Sequence, residues 1–319
     1  MAPPRILLFE QDAQRAETLA RKFAHLRMPV VAVTTADELF DAAARSEFQV
    51  VAVSGLGGGG AARVRAVREG SRTAALAIIA IVSPGPAALG ALKAGADDVV
   101  SWPAPEELLR ARFRTVLAAA RARDETKQTA AAFAGILESV EAREPHRIEH
   151  SARVGRLGAD LARRAGLSAT EIERVRVGGS LHDFGTIAIP DGILFKRAPL
   201  TDGEFAVMKS HPVVGFTLLR EVPALEPYLP FVLRHHERID GSGYPDGLRG
   251  TELPLPLQLV SLADAFDAMT SSRPYRSVRD DLKTLQILEE EAVAGRWDRA
   301  LLPLLVAATT GGDEPPHPR

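Results

Sequence analysis

Up to residue 122, short apolar runs alternate with stretches whose apolar positions recur at helical spacing. Arg5–Phe9, Val30–Val33, Gln49–Val53, Ala77–Val82 and Asp98–Ser101 read as strands, and Ala13–Leu26 and Ala36–Arg45 as helices. Such alternation predicts a doubly wound α/β domain, a parallel sheet covered by helices on both faces. Uninterrupted apolar runs such as Ile78–Val82 suit strands with neither face in water. From Pro105 the pattern changes. Glu106 to Val140 is rich in Ala, Leu, Arg and Glu, with Gly135 as its one strong breaker, and predicts a long helix leaving the first domain. Beyond Glu141 the chain reads as almost wholly helical, with Pro/Gly loops at 190–192, 199–203 and 241–256. The expected organisation is multidomain: an α/β domain over 1–122, a linking helix over 123–140, an all-α domain over 141–310 and a disordered tail over 311–319.

Composition narrows the chemistry. A length of 319 residues suits two domains, and a net charge of −2 gives no global attraction to DNA or to membranes. The absence of cysteine excludes disulfides, thiolate metal sites and cysteine nucleophiles, so a transition metal would need His and carboxylate ligands. The longest apolar stretch, Ala74–Val82, falls well below the ~18 residues of a membrane helix, and Ile6–Phe9 is too short for a signal-peptide core. A cytoplasmic protein without membrane insertion is expected. The run Gly55–Gly60 lacks the Gly-Lys-Ser/Thr of a phosphate-cradling loop and reads as a flexible connection.

Histidine carries the most information. Six of the eight lie between His146 and His236: His146, His150, His182, His211, His235 and His236. Asp183 follows His182 directly, and Asp264 interrupts the apolar segment Leu257–Phe266. Any one of these reads as readily as a packed or surface residue, and His25 and His317 are taken as surface; the joint pattern is harder to assign to packing. His and carboxylate suit zinc, iron, manganese or nickel. Neighbours on a helix point about 100° apart, so His182 and Asp183 can both reach one centre. A bridging carboxylate would let two ions sit about 3.5–4 Å apart, the spacing that activates water and clamps phosphate. His146 lies four residues before His150, on the same face of a helix.

These residues sit in motifs that resemble the HD-GYP family. The segments are His182-Asp183-Phe184-Gly185-Thr186, His211-Pro212-Val213-Val214-Gly215, His235-His236-Glu237 running on to Gly243-Tyr244-Pro245, and Ala263-Asp264 through Arg273-Pro274-Tyr275-Arg276. They span residues 141–308, in order. The resemblance implies an all-α HD domain hydrolysing cyclic di-GMP to linear pGpG, GMP or both. It implies metal ligation by His150, His182, Asp183, His211, His235, His236 and Asp264, with Asp183 bridging two divalent ions, iron or manganese. A bridging hydroxide would then attack phosphorus in line. His146 stands where some relatives carry a Glu that holds a third ion. Tyr244, Asp267, Arg273 and Arg276 would contact the nucleotide. Gly241 and Gly243 would supply unusual backbone angles. Asp183 and Thr186 hold the catalytic positions, but the family has Lys where this chain has Thr186. That substitution keeps open a second reading, a cyclic di-GMP sensor with weak or no turnover; another phosphohydrolase activity on the same scaffold is a third. Lys196 or Arg197 are candidates to restore the charge.

The first domain resembles a response-regulator receiver in strand order and in the run Ala91–Asp98. Its strand three ends in Ser54 rather than the phosphoacceptor Asp, and Trp102 precedes Pro103 where receivers carry Lys. Glu10 and Asp12 flank Gln11, leaving part of a magnesium site, while Ser83 matches. A pseudo-receiver without a phosphoacceptor is expected, engaging signalling proteins, with homodimerisation through the linking helix.

Overall fold

The computed structural model describes residues 5–43, 48–56, 58–70, 73, 76–143, 148–271 and 281–310. The chain divides into two compact units, Met1–Glu125 and Thr126–Arg319. Arg45, the expected end of the second helix, and the tail 311–319 lie outside the described residues.

The first unit is a five-stranded parallel sheet of β1 (Arg5–Phe9), β2 (Val30–Val33), β3 (Phe48–Ser54), β4 (Ala77–Val82) and β5 (Asp98–Ser101), in the order β2-β1-β3-β4-β5. Helices α1 (Ala13–His25), α2 (Ala36–Ala43), α3 (Gly60–Glu69) and α4 (Ala87–Lys93) connect the strands, and α5 (Glu106–Glu141) follows them. This is the doubly wound order expected of a receiver-like domain. The period-two alternation of each strand divides its side chains between two cores. Ile6, Leu8, Val50, Ala52, Ile79 and Ile81 meet Leu19 and Phe23 of α1 and Leu109 and Phe113 of α5. Leu7, Phe9, Val51, Val53, Ile78 and Ala80 meet Leu39 of α2 and Val64 and Val67 of α3. Each Val, Leu, Ile or Phe among them contributes about 1.5–3 kcal/mol by leaving water, and β4, buried along its whole length, has no polar face.

At the receiver end of the sheet, the acidic groups serve internal bonds. Glu10 is buried and accepts hydrogen bonds from the Ser54 hydroxyl and the Asp12 N–H, and from the Arg15 guanidinium at 3.3 Å. Burial pushes the Glu10 carboxyl up, but these donors outweigh it and hold it below its ordinary value. Asp12 caps α1, accepting from the Arg15 N–H at 2.9 Å. Incubation with acetyl phosphate and magnesium is therefore expected to leave the intact mass unchanged; a phosphoryl adduct on a carboxylate of this unit would contradict the pseudo-receiver reading.

The second unit is helical: α6 (His150–Arg164), α7 (Ala169–Leu181), α8 (Asp191–Leu194), α9 (Asp202–Met208), α10 (His211–Leu219), α11 (Leu229–Arg234), α12 (Leu255–Thr270), α13 (Asp281–Val293) and α14 (Leu302–Thr309). Helix α5 enters it as one uninterrupted element. Val154 and Leu161 of α6, Val175 of α7, and Leu259, Val260 and Leu262 of α12 form its main core. A second core joins Ala130 and Leu137 of α5 to Leu181, Phe184, Leu225 and Tyr228. Helix α7 starts at a reciprocal capping box between Ser168 and Glu171. After it the chain tightens into a short 3-10 helix, Phe184–Ala188, whose backbone lies directly against α10. A Cβ on Gly185 would fall 1.9 Å from the carbonyl oxygen of His211 and 2.6 Å from the Gly215 nitrogen, so the approach requires glycine. Among the described residues, no helix is long and apolar enough to cross a membrane.

Candidate metal centre

The ends of four helices converge on the middle of a fifth. His150 opens α6, His182 caps the C-terminus of α7 with Asp183 next to it, His211 opens α10, His235 caps α11 with His236 following, and Asp264 lies within α12. Three imidazoles are aimed by backbone carbonyls. Nδ1 lies 2.7 Å from the Gly179 oxygen in His182, 2.7 Å from the Met208 oxygen in His211, and 3.0 Å from the Val232 oxygen in His235. A carbonyl has no proton to give, so each Nδ1 carries one and Nε2 is the atom left to meet a ligand inward. His150 is aimed by a carboxylate, with Nδ1 2.7 Å from Asp267 Oδ2.

The inward atoms fall into two groups, Asp183 with His211, His235 and His236, and His150 with His182 and Asp264; within each group the ligand atoms lie within 4.8 Å of one another. The carboxylates face both groups. Asp183 Oδ1 lies 3.1 Å from His211 Nε2 and 3.7 Å from His235 Nε2, while its Oδ2 lies 3.8 Å from His150 Nε2. Asp264 Oδ1 lies 3.4 Å from His150 Nε2, and its Oδ2 lies 3.8 Å from His236 Nδ1.

The donor set fits cations. The His182 Nε2 is buried without a hydrogen-bond partner, a state costly for a polar atom unless an ion meets its lone pair. Nε2 of His211 and of His235 face each other at 3.1 Å. Burial and neighbouring imidazoles drive the His235 ring well below its ordinary value, and burial takes His236 to about 3, so both stand ready as neutral ligands. Burial would likewise lower His150, but the carboxylates of Asp264 and Asp267 raise it to about 9. Burial would raise Asp264, yet His150 and His182 hold it well below the carboxylate range.

Below pH 9 His150 keeps a second proton without metal, and ligation through Nε2 must displace it. Metal binding at pH 7.5 is expected to release protons, and affinity should weaken by about tenfold per unit of falling pH for each proton displaced. Calorimetry in buffers of different ionisation enthalpy reads this directly, and a heat independent of buffer would contradict it.

Asp267 is expected among the nucleotide contacts. It is buried and engaged by His150 and by Arg153, whose Nε lies 2.6 Å from Oδ1 and whose Nη2 lies 2.9 Å from Oδ2. Burial would raise its carboxyl, but these partners bring it to about 2. It is positioned to orient His150. Asp267→Ala is expected to weaken metal binding by about 10–100-fold, read by competition with a chelator; a raised KM for nucleotide with metal affinity intact would restore the nucleotide-contact reading.

Glu237 escapes sequence reasoning. It is fully buried and its carboxylate accepts the N–H groups of Asp246 at 2.6 Å, Gly247 at 3.1 Å and Leu248 at 2.9 Å. It thereby folds the loop that carries Tyr244 back onto the His235-His236 step. Gly241 has the positive φ expected, 77°. Gly243 is glycine for a different reason than expected, since a Cβ there would lie 2.4 Å from the Glu237 Cα. Tyr244 stacks on His236, with ring centroids 4.7 Å apart. Thr186 is buried beside Asp183, to whose carbonyl its N–H donates at 2.9 Å. Lys196, a candidate to replace the family's lysine, is paired with Glu204 at 2.5 Å. His146, Arg273 and Arg276 lie outside the described residues.

The sequence is similar to known proteins. The HD domain family model matches residues 116–301, more than half of the chain. The cyclic di-GMP phosphodiesterase response regulator RpfG of Xanthomonas campestris pv. campestris is 36% identical over 225 residues, covering 62% of this chain and 58% of that protein. A cyclic di-GMP phosphodiesterase of Thermotoga maritima is 44% identical over 136 residues, covering 42% and 36%. The 3'3'-cGAMP-specific phosphodiesterase 1 of Vibrio cholerae is 32% identical over 167 residues, covering 52% and 39%. The chain thus spans less than two thirds of the length of each. The family match takes in the segment that brings the adjacent His182 and Asp183 to the meeting point of the helices, and the chain belongs to the HD domain family.

Proposed function

We propose that the helical unit is a metal-dependent phosphodiesterase of the HD-GYP type that hydrolyses cyclic di-GMP to linear pGpG, GMP or both. One observation carries the reading: seven His and Asp side chains, all buried but the part-buried His236, form two adjoining groups, with Asp183 facing both. Two divalent ions held there would supply an activated water and neutralise the phosphate charge. Iron or manganese suits a site of imidazole and carboxylate without thiolate, and His146 is the proposed ligand of a third ion. Asp183 holds both metal positions in register. Arg273 and Arg276 are proposed to grip the phosphates, since the planar guanidinium fork matches their oxygens, and Tyr244 to pack against the nucleotide.

Thr186 supports the second reading, a cyclic di-GMP sensor. Its hydroxyl offers one donor and no charge, which weakens transition-state stabilisation by about 1–3 kcal/mol relative to a charged donor. The relatives' names include both cyclic di-GMP and 3'3'-cGAMP, so the discriminating experiment is a substrate panel. Metal-loaded protein is expected to show a higher kcat/KM for cyclic di-GMP than for 3'3'-cGAMP. Faster turnover of 3'3'-cGAMP would reassign the substrate, and turnover of neither would leave the sensor.

The proposal includes a homodimer through α5 and protein partners for the pseudo-receiver. The 36-residue length of α5 supports the dimer. Light scattering is expected to give twice the mass of one chain, and the mass of a single chain at micromolar concentration would contradict it.

A further inference from the structure

Beside the metal centre lies a cluster of which the proposed chemistry uses only Tyr244. Phe205 of α9 and Lys209, its C-cap, are four residues apart and share one helix face. Lys209 Nζ stands 5.0 Å from the centroid of the Phe205 ring and 5.9 Å from that of Tyr244. Tyr244 in turn stacks on His236, so one ring intervenes between the ammonium and a candidate metal ligand. Phe205 is 49% exposed, although an aromatic ring ordinarily gains by leaving water. Lys209 is exposed and, among the described residues, no carboxylate pairs with it, whereas Lys196 is held by Glu204 and Arg234 by Asp246.

We propose that Phe205, Lys209 and Tyr244 form a guanine-selective base subsite at the edge of the metal centre. The inference rests on the reading that the substrate is a guanine dinucleotide whose phosphate lies at that centre. The aromatic rings supply stacking, which every base accepts. Selectivity comes from Lys209. An ammonium only donates; guanine presents two adjacent acceptors, O6 and N7, where adenine presents N7 beside an amino donor. The lysine therefore favours guanine and leaves the adenine amino group facing like-signed hydrogens.

The test is equilibrium binding of GMP and AMP to manganese-loaded full-length protein. Wild type is expected to bind GMP more tightly than AMP. Lys209→Met should lower the GMP-to-AMP affinity ratio by about tenfold, Lys209→Arg should keep it, and Phe205→Ala should weaken both nucleotides while keeping the ratio. No GMP binding to wild type, no change in the ratio in Lys209→Met, or an equal fall for both nucleotides, as a phosphate contact would give, overturns the proposal. The reading it rests on fails separately, in a turnover assay: a wild-type protein that leaves cyclic di-GMP intact still reports its GMP-to-AMP ratio.

Discussion

Asp183→Asn is expected to abolish hydrolysis of cyclic di-GMP, by at least about 10³-fold in kcat, and to lower the bound metal per chain. One oxygen of Asp183 faces His211 and His235, and the other faces His150. The amide keeps the shape but loses the charge, and its nitrogen turns a donor toward lone pairs that also need a cation. Asp264 would then be the one carboxylate left among five imidazoles in the two groups. Metal analysis and chromatography of the product, beside a thermal melt that confirms folding, read the effect. Full metal content with wild-type turnover in this variant would remove Asp183 from the centre.

Gly185→Ala is expected to cost on the order of 3 kcal/mol or more of stability and to empty the same centre, without touching a candidate ligand. The new methyl would fall 1.9 Å from the His211 carbonyl oxygen, and backbone cannot swing aside as a flexible side chain can. The 3-10 helix and α10 must part, which draws His211 away from Asp183, 3.1 Å from it in the native fold. Gly215→Ala should act in the same direction, since its methyl would lie 2.8 Å from the Gly185 nitrogen. Urea denaturation with metal analysis checks both variants. Stability within experimental error of wild type would show that the contact is looser than described here.

Strands β1, β3 and β4 were legible as largely apolar runs buried on two faces, and β2 and β5 as short runs at the edges of the sheet; β3 exceeds its expected span by one residue at either end, Phe48 and Ser54. Helices α3 and α4 were not singled out, because glycine and alanine blur the periodicity of Gly60–Glu69 and Ala87–Lys93. Residue type singled out the histidines and Asp264, since histidine is scarce and buried Asp is costly, and the set of seven candidate ligands came from the resemblance. Their division into two groups was not legible, because it depends on how four helix ends meet the body of α12. Asp267 faces His150 and Arg153, contacts that the resemblance does not specify. The physical signal was its position three residues after Asp264 on α12, the spacing that places two side chains on one face. Glu237 carried a weaker signal, an acid between a His pair and a glycine-rich loop whose free N–H groups need an acceptor. Lys209 carried none: an exposed lysine is ordinary in sequence, and its relation to Phe205 and Tyr244 exists only in the fold.

The most direct test of the central claim measures bound metal and cyclic di-GMP conversion in the same anaerobically purified sample, supplied with manganese or ferrous iron. The account predicts two ions per chain and the appearance of a linear product. A chain that holds its metal and binds cyclic di-GMP yet leaves it intact would contradict the enzyme reading and make the protein a sensor.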